Sequence, residues 1–313
     1  MLGNFIIIVT LILTLPRMRL LQIILKVSSR LPSESYEKLS KLIHAKDIIG
    51  FCYSIGIILI FIFTLQINRL FEIYISIVVF QMDMLYMNCV CVLKTCFTKI
   101  NDNLISMRTF IANNELRVSK LNYHNHQRNP FLIMELKDLK KQHLTIYDTI
   151  QILNIIFSLQ LLATVVMTFS LVTICIYYYI LASKYMHTST KTNFLEGLLL
   201  HMLFILFMAY FFIKVLLIVW ACETGKNQAQ QISTSIHDVF NTTTDKKIKD
   251  ELQLFSLQVL HCNNTFSAKG FTMDAKLLAA IVSSITTYVM ILFQFMYMSY
   301  SCQDKTANNT GKI

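Results

Sequence analysis

The sequence predicts an all-α, polytopic membrane helix bundle, and three observations lead there. Apolar residues make up 55% of the 313, with only three prolines and seven glycines to interrupt helices. They gather into six stretches, 1–15, 48–67, 70–93, 151–183, 196–221 and 275–300, and only the first is too short to cross a bilayer as a helix. Lys and Arg avoid these stretches and fall on alternate connections.

That alternation sets the expected topology. Connections 16–47, 94–150 and 222–274 hold 21 Lys and Arg, whereas 68–69, 184–195 and 301–313 hold five. Basic residues stay on the cytosolic side during insertion, so the first three are expected inside and the C-terminus outside the cell. The net charge of +10 is therefore a topology signal, with contact to anionic membrane lipid secondary, and it implies no nucleic-acid partner. The chain has no phosphate-binding glycine loop, no His-Glu-x-x-His and no Gly-x-Ser-x-Gly elbow. No catalytic residue, cofactor or metal is expected. Eight cysteines are scattered through spans and inner connections, with Cys302 alone outside, so free thiols are the default. Cys89, Cys91 and Cys96 cluster without a nearby histidine, which suits packing or palmitoylation and not a metal.

Along the chain, the opening stretch of about 15 residues reaches only about 22 Å as a helix, against a hydrocarbon layer of about 30 Å. No basic segment precedes it and no small-residue cleavage site follows, so it is not a secretory signal. Arg17 to Asp47 carries Leu20, Leu21, Ile24, Leu39, Leu42 and Ile43 at helical spacing among charges, the pattern of an interfacial or cytosolic amphipathic helix. Ile48 to Ile67 crosses outward, and a tight turn at Asn68 and Arg69 returns the chain. The next span, Leu70 to Leu93, contains Glu72, Gln81, Asp83 and Asn88, too many polar groups for a lipid-facing helix. Asp83 lies near the midplane, and Lys214 in span 196–221 is its expected partner, either as a structural ion pair or within a ligand or ion path.

Residues 94–150 read as two helices around a polar hinge, Asn122 to Pro130, with His124 and His126. Span 151–183 exceeds the bilayer, so its first turns should project inward. It ends in Tyr177-Tyr178-Tyr179, an interfacial aromatic belt or a pocket wall. Span 196–221 returns inward with Glu196, His201 and Tyr210 in its outer half or middle. Asp250 to His261 is amphipathic through Leu252, Phe255, Leu257, Val259 and Leu260, and Gly270 should break the chain before the last span. Glycosylation sequons at Asn241 and Asn263 fall inside, which leaves Asn308 as the usable one.

The last span, Leu277 to Tyr300, has 24 residues without a charge. Ser284, Thr287, Ile291 and Gln294 stand at i, i+3, i+7 and i+10 on one stripe. Interhelical hydrogen bonding or a pore lining would each explain it. Thr287-Tyr288, five apolar residues, then Gln294-Phe295 resembles the C-terminal signature of insect gustatory receptors, members of the seven-span insect chemoreceptor family that includes the odorant receptors. Leu153-Asn154-Ile155-Ile156-Phe157-Ser158-Leu159-Gln160-Leu161-Leu162 resembles that family's fifth-span opening. Phe255-Ser256-Leu257-Gln258 followed by Phe266-Ser267-Ala268-Lys269-Gly270-Phe271-Thr272-Met273-Asp274 is similar to its lead-in to the last helix, with Thr272-Met273 replacing an aromatic and aliphatic pair. A weaker likeness covers 93–104, where Thr95-Cys96-Phe97 and Ile100-Asn101 depart from the usual pattern.

The resemblance implies a taste receptor acting as a ligand-gated, non-selective cation channel without G-protein coupling, a homo- or heterotetramer in the plasma membrane of sensory neurons. It implies a pore lined by the last helix, with Ile291 as hydrophobic gate, Gln294 as a polar ring and Thr287 and Phe295 beside them. It implies a small-molecule tastant held in the outer half of each subunit, for which Tyr74, Gln81, Thr173, Tyr177 and His201 are the candidates. It also implies a seven-span pattern of which six are visible, so the chain is read as starting inside the second family span, N-terminally incomplete or divergent. The corresponding division is 1–93 for the N-terminal spans and first inner loop, 94–150 for anchor helices, and 151–221 for outer-pocket spans. The remainder is 222–274 for anchor and lead-in helix and 275–313 for pore helix and external tail. Asp274 and Glu251 are candidates for cation attraction at the inner mouth. The rival readings are a secondary transporter with an Asp83, Lys214 and Glu72 relay, which lacks repeats and broken helices, and a G-protein-coupled receptor, which would need a cytosolic C-terminus.

Overall fold

The computed structural model describes residues 8–64, 70–118, 129–188 and 194–310. The turn at Asn68 and Arg69, the hinge histidines His124 and His126, and the side chains of Glu72, Glu196, Cys302 and Asn308 lie outside what is described. Residues 8–12 are helical and pass through a turn at Leu13 into α1 (Thr14–Ser28), followed by α2 (Ser33–Thr64) and α3 (Leu70–Val118). The next helices are α4 (Asn129–Thr188), α5 (Phe194–Thr242) and α6 (Lys246–His261). A two-residue pair of strands, β1 (Ser267–Ala268) and β2 (Phe271–Thr272), leads to α7 (Ala275–Thr310). The described chain is nearly all helix, as its composition demands. The few prolines sit where helices tolerate them: Pro32 just ahead of α2 and Pro130 in the first turn of α4.

Among the described residues, four segments are long and apolar enough to cross a membrane: Tyr74–Asn113, Pro130–Ser183, His201–Thr242 and Ala275–Met298. Helices α3, α4 and α5 have 49, 60 and 49 residues. At about 1.5 Å per residue each far exceeds a hydrocarbon layer of about 30 Å, so each carries a long stretch beyond it. They run unbroken through residues 93, 150 and 221, where hydropathy changes. The ladder of backbone hydrogen bonds does not register where lipid ends.

What keeps the charge-rich ends helical is a buried stripe. Phe97, Ile100, Leu104, Met107 and Ile111 recur at helical spacing on α3 and are all buried. They meet Leu136, Leu139 and Phe157 of α4, Ile232 and Ile236 of α5, and Leu252 and Phe255 of α6 in one core. Cys89, Cys91 and Cys96 belong to it; as buried thiols they are packing residues. Helix α1 departs from the interfacial reading: Leu20 and Ile24 enter this core and Arg17 is buried with them. A second, smaller cluster joins Val172 of α4 and Phe211, Val215 and Val219 of α5 to Ile281 and Ile285 of α7. The packing is lopsided. The best-buried part is the charge-rich end, whereas only 11% of the α7 span is buried.

Gly270 does more than break a helix. Lys269 and Gly270 have φ of +48° and +89°, the pair of left-handed residues that a two-residue hairpin turn between right-twisted strands requires. The hairpin pairs Ser267 with Thr272 and Ala268 with Phe271. Its leading Phe266 lies on Gly225 of α5, where an added Cβ would come within 2.9 Å of the ring.

Candidate functional site at the last helix

Helix α7 starts on a built cap. Asp274 accepts from Leu277 N (3.0 Å) and from Thr272 Oγ1 (2.9 Å), bonds that hold its carboxyl below the usual carboxylate range. One side of α7, with Ile281, Ile285 and Met296, is buried, and Tyr288 meets Phe169 edge-on at 5.5 Å. The other side is open. Ser283, Thr286, Thr287, Met290, Ile291 and Gln294 line one shallow groove along it, and Ser284 is exposed too. Thr286 and Thr287 return their hydroxyls to Val282 O and Ser283 O (3.0 Å each), so these groups are satisfied within the helix. The Gln294 amide has no such internal partner among the described residues and faces outward. Phe295, 68% exposed, is one residue on and therefore turned about 100° from Gln294; it lines a neighbouring concavity with Phe293 and Tyr297.

The N-terminal end of α7 is fastened to α4. Asn154 donates from Nδ2 to Thr265 O (2.8 Å) and accepts at Oδ1 from Ser267 N (3.1 Å), so one side-chain amide replaces a strand partner for the hairpin. Above it, Gln258 of α6 donates to Lys140 O (2.9 Å) and reaches His143 Nδ1 (3.2 Å), while Asn264 Nδ2 stands 3.3 Å from His143 Nε2. His143 is fully buried between the rings of Phe97 and Phe255. It precedes the expected span 151–183, and burial without a carboxylate pushes its pKa down to about 4, so the ring is neutral. Glu251 completes the attachment through Lys140 (2.9 Å) and Lys137 (3.6 Å). The Lys140 hydrogen bond holds its carboxyl below the ordinary value. Both acids expected at an inner mouth thus have structural partners, Asp274 as a cap and Glu251 as a bridge.

Deeper in the bundle, Lys214 Nζ lies 3.1 Å from Asp83 Oδ2. Thr164 donates to the other oxygen at 2.9 Å, and Tyr210 and Phe211 place their rings within 6 Å of the ammonium. Next to it is a group that sequence reasoning passed over. Arg17 donates to Met82 Sδ (3.2 Å) and covers the Phe157 ring at 5.1 Å, with Nε and Nη2 unpaired. Gln160, one turn along α4 from Phe157, leaves both amide atoms unpaired and buried. The available signal was spacing: Arg17 stands three and seven residues before Leu20 and Ile24, on the same buried stripe.

A family profile of the 7tm chemosensory receptors matches residues 1–299. The chain belongs to the 7tm chemosensory receptor family. Its Drosophila melanogaster relatives include chains named as gustatory receptors 28b, 28a and 23a, identical at 32% over 89 residues, 27% over 111 and 26% over 167. These matches take in 28%, 35% and 53% of this chain and 19%, 24% and 42% of the relatives, so less than half of each relative is spanned. The olfactory receptor OR5 of Machilis hrabei superposes with a TM-score of 0.66 over 94% of this chain and 78% of that one, at 11% identity, a shared fold. That receptor has also been solved in complex with eugenol. The 7tm chemosensory receptor family is one of multi-pass membrane receptors and not of enzymes.

In this chemosensory receptor two stretches that carry the family likeness touch each other, since Asn154 of the α4 opening holds Thr265 and Ser267 of the lead-in. The five candidate ligand contacts are more dispersed. Tyr74 and Gln81 are exposed on α3. Thr173 is buried and gives its hydroxyl to Phe169 O (2.8 Å). Tyr177 stacks edge-on against Tyr178. His201 is exposed, with Nδ1 bonded to Tyr179 OH, whose ring stacks on Phe204 at 3.9 Å. Among the described residues no hydrogen bond or ring contact joins any two of the five.

Proposed function

We propose that the receptor is a ligand-gated, non-selective cation channel for taste, a homo- or heterotetramer in the plasma membrane of sensory neurons, with its pore lined by α7. The observation that carries this reading is the open groove on α7, opposite its buried side, where Thr287, Ile291 and Gln294 stand together. An unpaired amide in hydrocarbon costs several kcal/mol, so Gln294 requires protein or water against it. Four copies facing one axis supply both. Ile291 then closes the path as an aliphatic ring that excludes water, with Gln294 as the adjacent polar ring and Thr287 on the inner side. Phe295, turned aside, packs against the neighbouring subunit.

On this reading residues 94–150 and 222–274 are the cytosolic anchor, and the C-terminal tail after α7 is external. A small-molecule tastant binds among the outer halves of α3, α4 and α5, where Tyr74, Gln81, Thr173, Tyr177 and His201 lie. Thr173 contributes wall only, its hydroxyl being committed. Ligand opens the pore by favouring one of two arrangements of α7, a difference of a few kcal/mol.

The test is patch-clamp recording from cells expressing the receptor against a tastant panel. Gln294→Ala should change cation permeability ratios, and cysteines at 287, 291 and 294 should react with water-borne thiol reagents when ligand is present. Unchanged ratios together with protected cysteines would remove this face from the ion path.

A further inference from the structure

A second site lies away from α7, between α1, α3 and α4. A cavity of about 530 Å³ opens there. Its apolar floor includes Ile23, Val27 and Ile146, and its rim carries Lys26, Arg30, Lys99 and Lys141. Three helices and the turn after α1 thus contribute four cations to one opening. Arg30 has a long, exposed contact to Asp138 (3.6 Å); among the described residues Lys26, Lys99 and Lys141 form no ion pair. Four cations converge on one opening with, among the described residues, a single carboxylate, Asp138, in contact with them; like charges repel each other, by about 1 kcal/mol per pair at 4 Å even in water, and a bound anion would relieve that repulsion.

Depth narrows the choice of anion. Lys99 is six residues past the end of span 70–93, and Lys141 is ten residues before span 151–183. At about 1.5 Å per residue Lys99 sits about 9 Å below the hydrocarbon edge, at the headgroups, and Lys141 lines the same opening from the cytosolic side. An apolar floor, a cationic rim and an opening at headgroup depth describe an amphipathic ligand.

We propose that this cavity binds an anionic lipid through phosphate monoesters on its headgroup, with the basic rim clasping the phosphates. A singly charged diester would engage only part of the rim, so a headgroup with several phosphates is the better match. The site stands independently of the channel reading.

The test is native mass spectrometry of the detergent-solubilised receptor titrated with phosphatidylinositol bisphosphate, phosphatidylserine or soluble inositol trisphosphate. The bisphosphate lipid should bind in preference to phosphatidylserine. Its affinity should fall about fivefold for each of Lys26→Gln, Lys99→Gln and Lys141→Gln, and survive Lys99→Arg. Lys38→Gln with Lys41→Gln, which removes two cations from the exposed face of α2, should leave it unchanged. Melting temperatures near wild type identify the variants that keep their fold. Equal binding of phosphatidylserine would overturn the phosphate-monoester assignment. Competition by the soluble trisphosphate at equal affinity would overturn the lipid assignment, and rim variants binding like wild type would overturn the site.

Discussion

The Asp83–Lys214 pair offers a quantitative test of what the polar centre of the bundle does. Lys214 Nζ is 3.1 Å from Asp83 Oδ2, with the side chains 5% and 0% exposed. At an effective dielectric of about 20 the Coulomb attraction at that distance is about 5 kcal/mol. Taking each ion out of water costs several kcal/mol in return, so the pair is near neutral overall, but either charge left alone is not. Asp83→Leu and Lys214→Met should therefore each cost about 3–5 kcal/mol, whereas the double variant should return to within about 1 kcal/mol of wild type. For a chain of this size the singles translate to a drop of about 5–8 °C in melting temperature, measured by fluorescence-detected size-exclusion after heating in detergent. Singles as stable as wild type would mean that the charges are hydrated and not mutually buried. A double variant as unstable as the singles would mean that Asp83 or Lys214 has another partner. Function separates the remaining rival: a proton relay loses transport in the double variant, whereas a structural pair lets ligand-evoked current survive.

Three further outcomes follow from the clamp that Asn154, His143, Gln258 and Asn264 form at the root of α7. His143, held neutral with a pKa of about 4 against an ordinary 6.5, binds fewer protons folded than unfolded; its contribution is complete above pH 6.5 and lost as pH falls toward 4, by roughly 3 kcal/mol. His143→Phe should flatten the melting temperature across that window, and an unchanged slope refutes the assignment. Asn154→Ala removes both bonds to the hairpin and should cost about 1–3 kcal/mol, with faster hydrogen exchange at Ser267 N as the local readout; a wild-type exchange rate there counts against the clamp. Gly225→Ala places a methyl 2.9 Å from Phe266 and should destabilise by about 1–3 kcal/mol, with partial recovery in the Gly225→Ala, Phe266→Leu double variant; a fully additive double would rule out that contact.

The sequence carried the helical membrane architecture because apolar runs are a one-dimensional signal. The α7 stripe was equally legible, since helical spacing puts Thr287, Ile291 and Gln294 together whatever surrounds them. Asp83 and Lys214 could be matched because opposite charges inside hydrophobic spans leave few alternatives. Arg17 was not, because a charge at the edge of a basic connection looks solvated until the fold folds it inward. The clamp was hidden for another reason. Asn154, His143 and Asn264 are ordinary residues whose role depends on partners over a hundred positions away. The Lys269-Gly270 turn was half visible: Gly270 marks a break, but lysine gives no sign that it will take a positive φ. For the ligand residues, an aromatic or polar side chain in an outer half carries no information about convergence, and Thr173 spends its hydroxyl on its own helix.

The distribution of packing bears on how the proposed channel would move. The charge-rich ends of α3, α4 and α5 share one dense core with α6, and dense cores resist small displacements. Helix α7 is held along one side by a small cluster and at its N-terminal end by the hairpin, so it is the element with freedom to shift. Helix α4 spans both regions without a break, from Tyr177 in the outer half, through Asn154 at the hairpin, to His143 and Lys140 at the clamp. A ligand that tilts its outer half therefore acts on the same rod that grips the root of α7, and no relay of intermediate side chains is needed. Coupling of this kind requires that the grip have two stable arrangements. The buried, unpaired groups of Arg17 and Gln160, lying on α1 and α4 between the proposed ligand half and the clamp, are where a second arrangement has hydrogen bonds to gain.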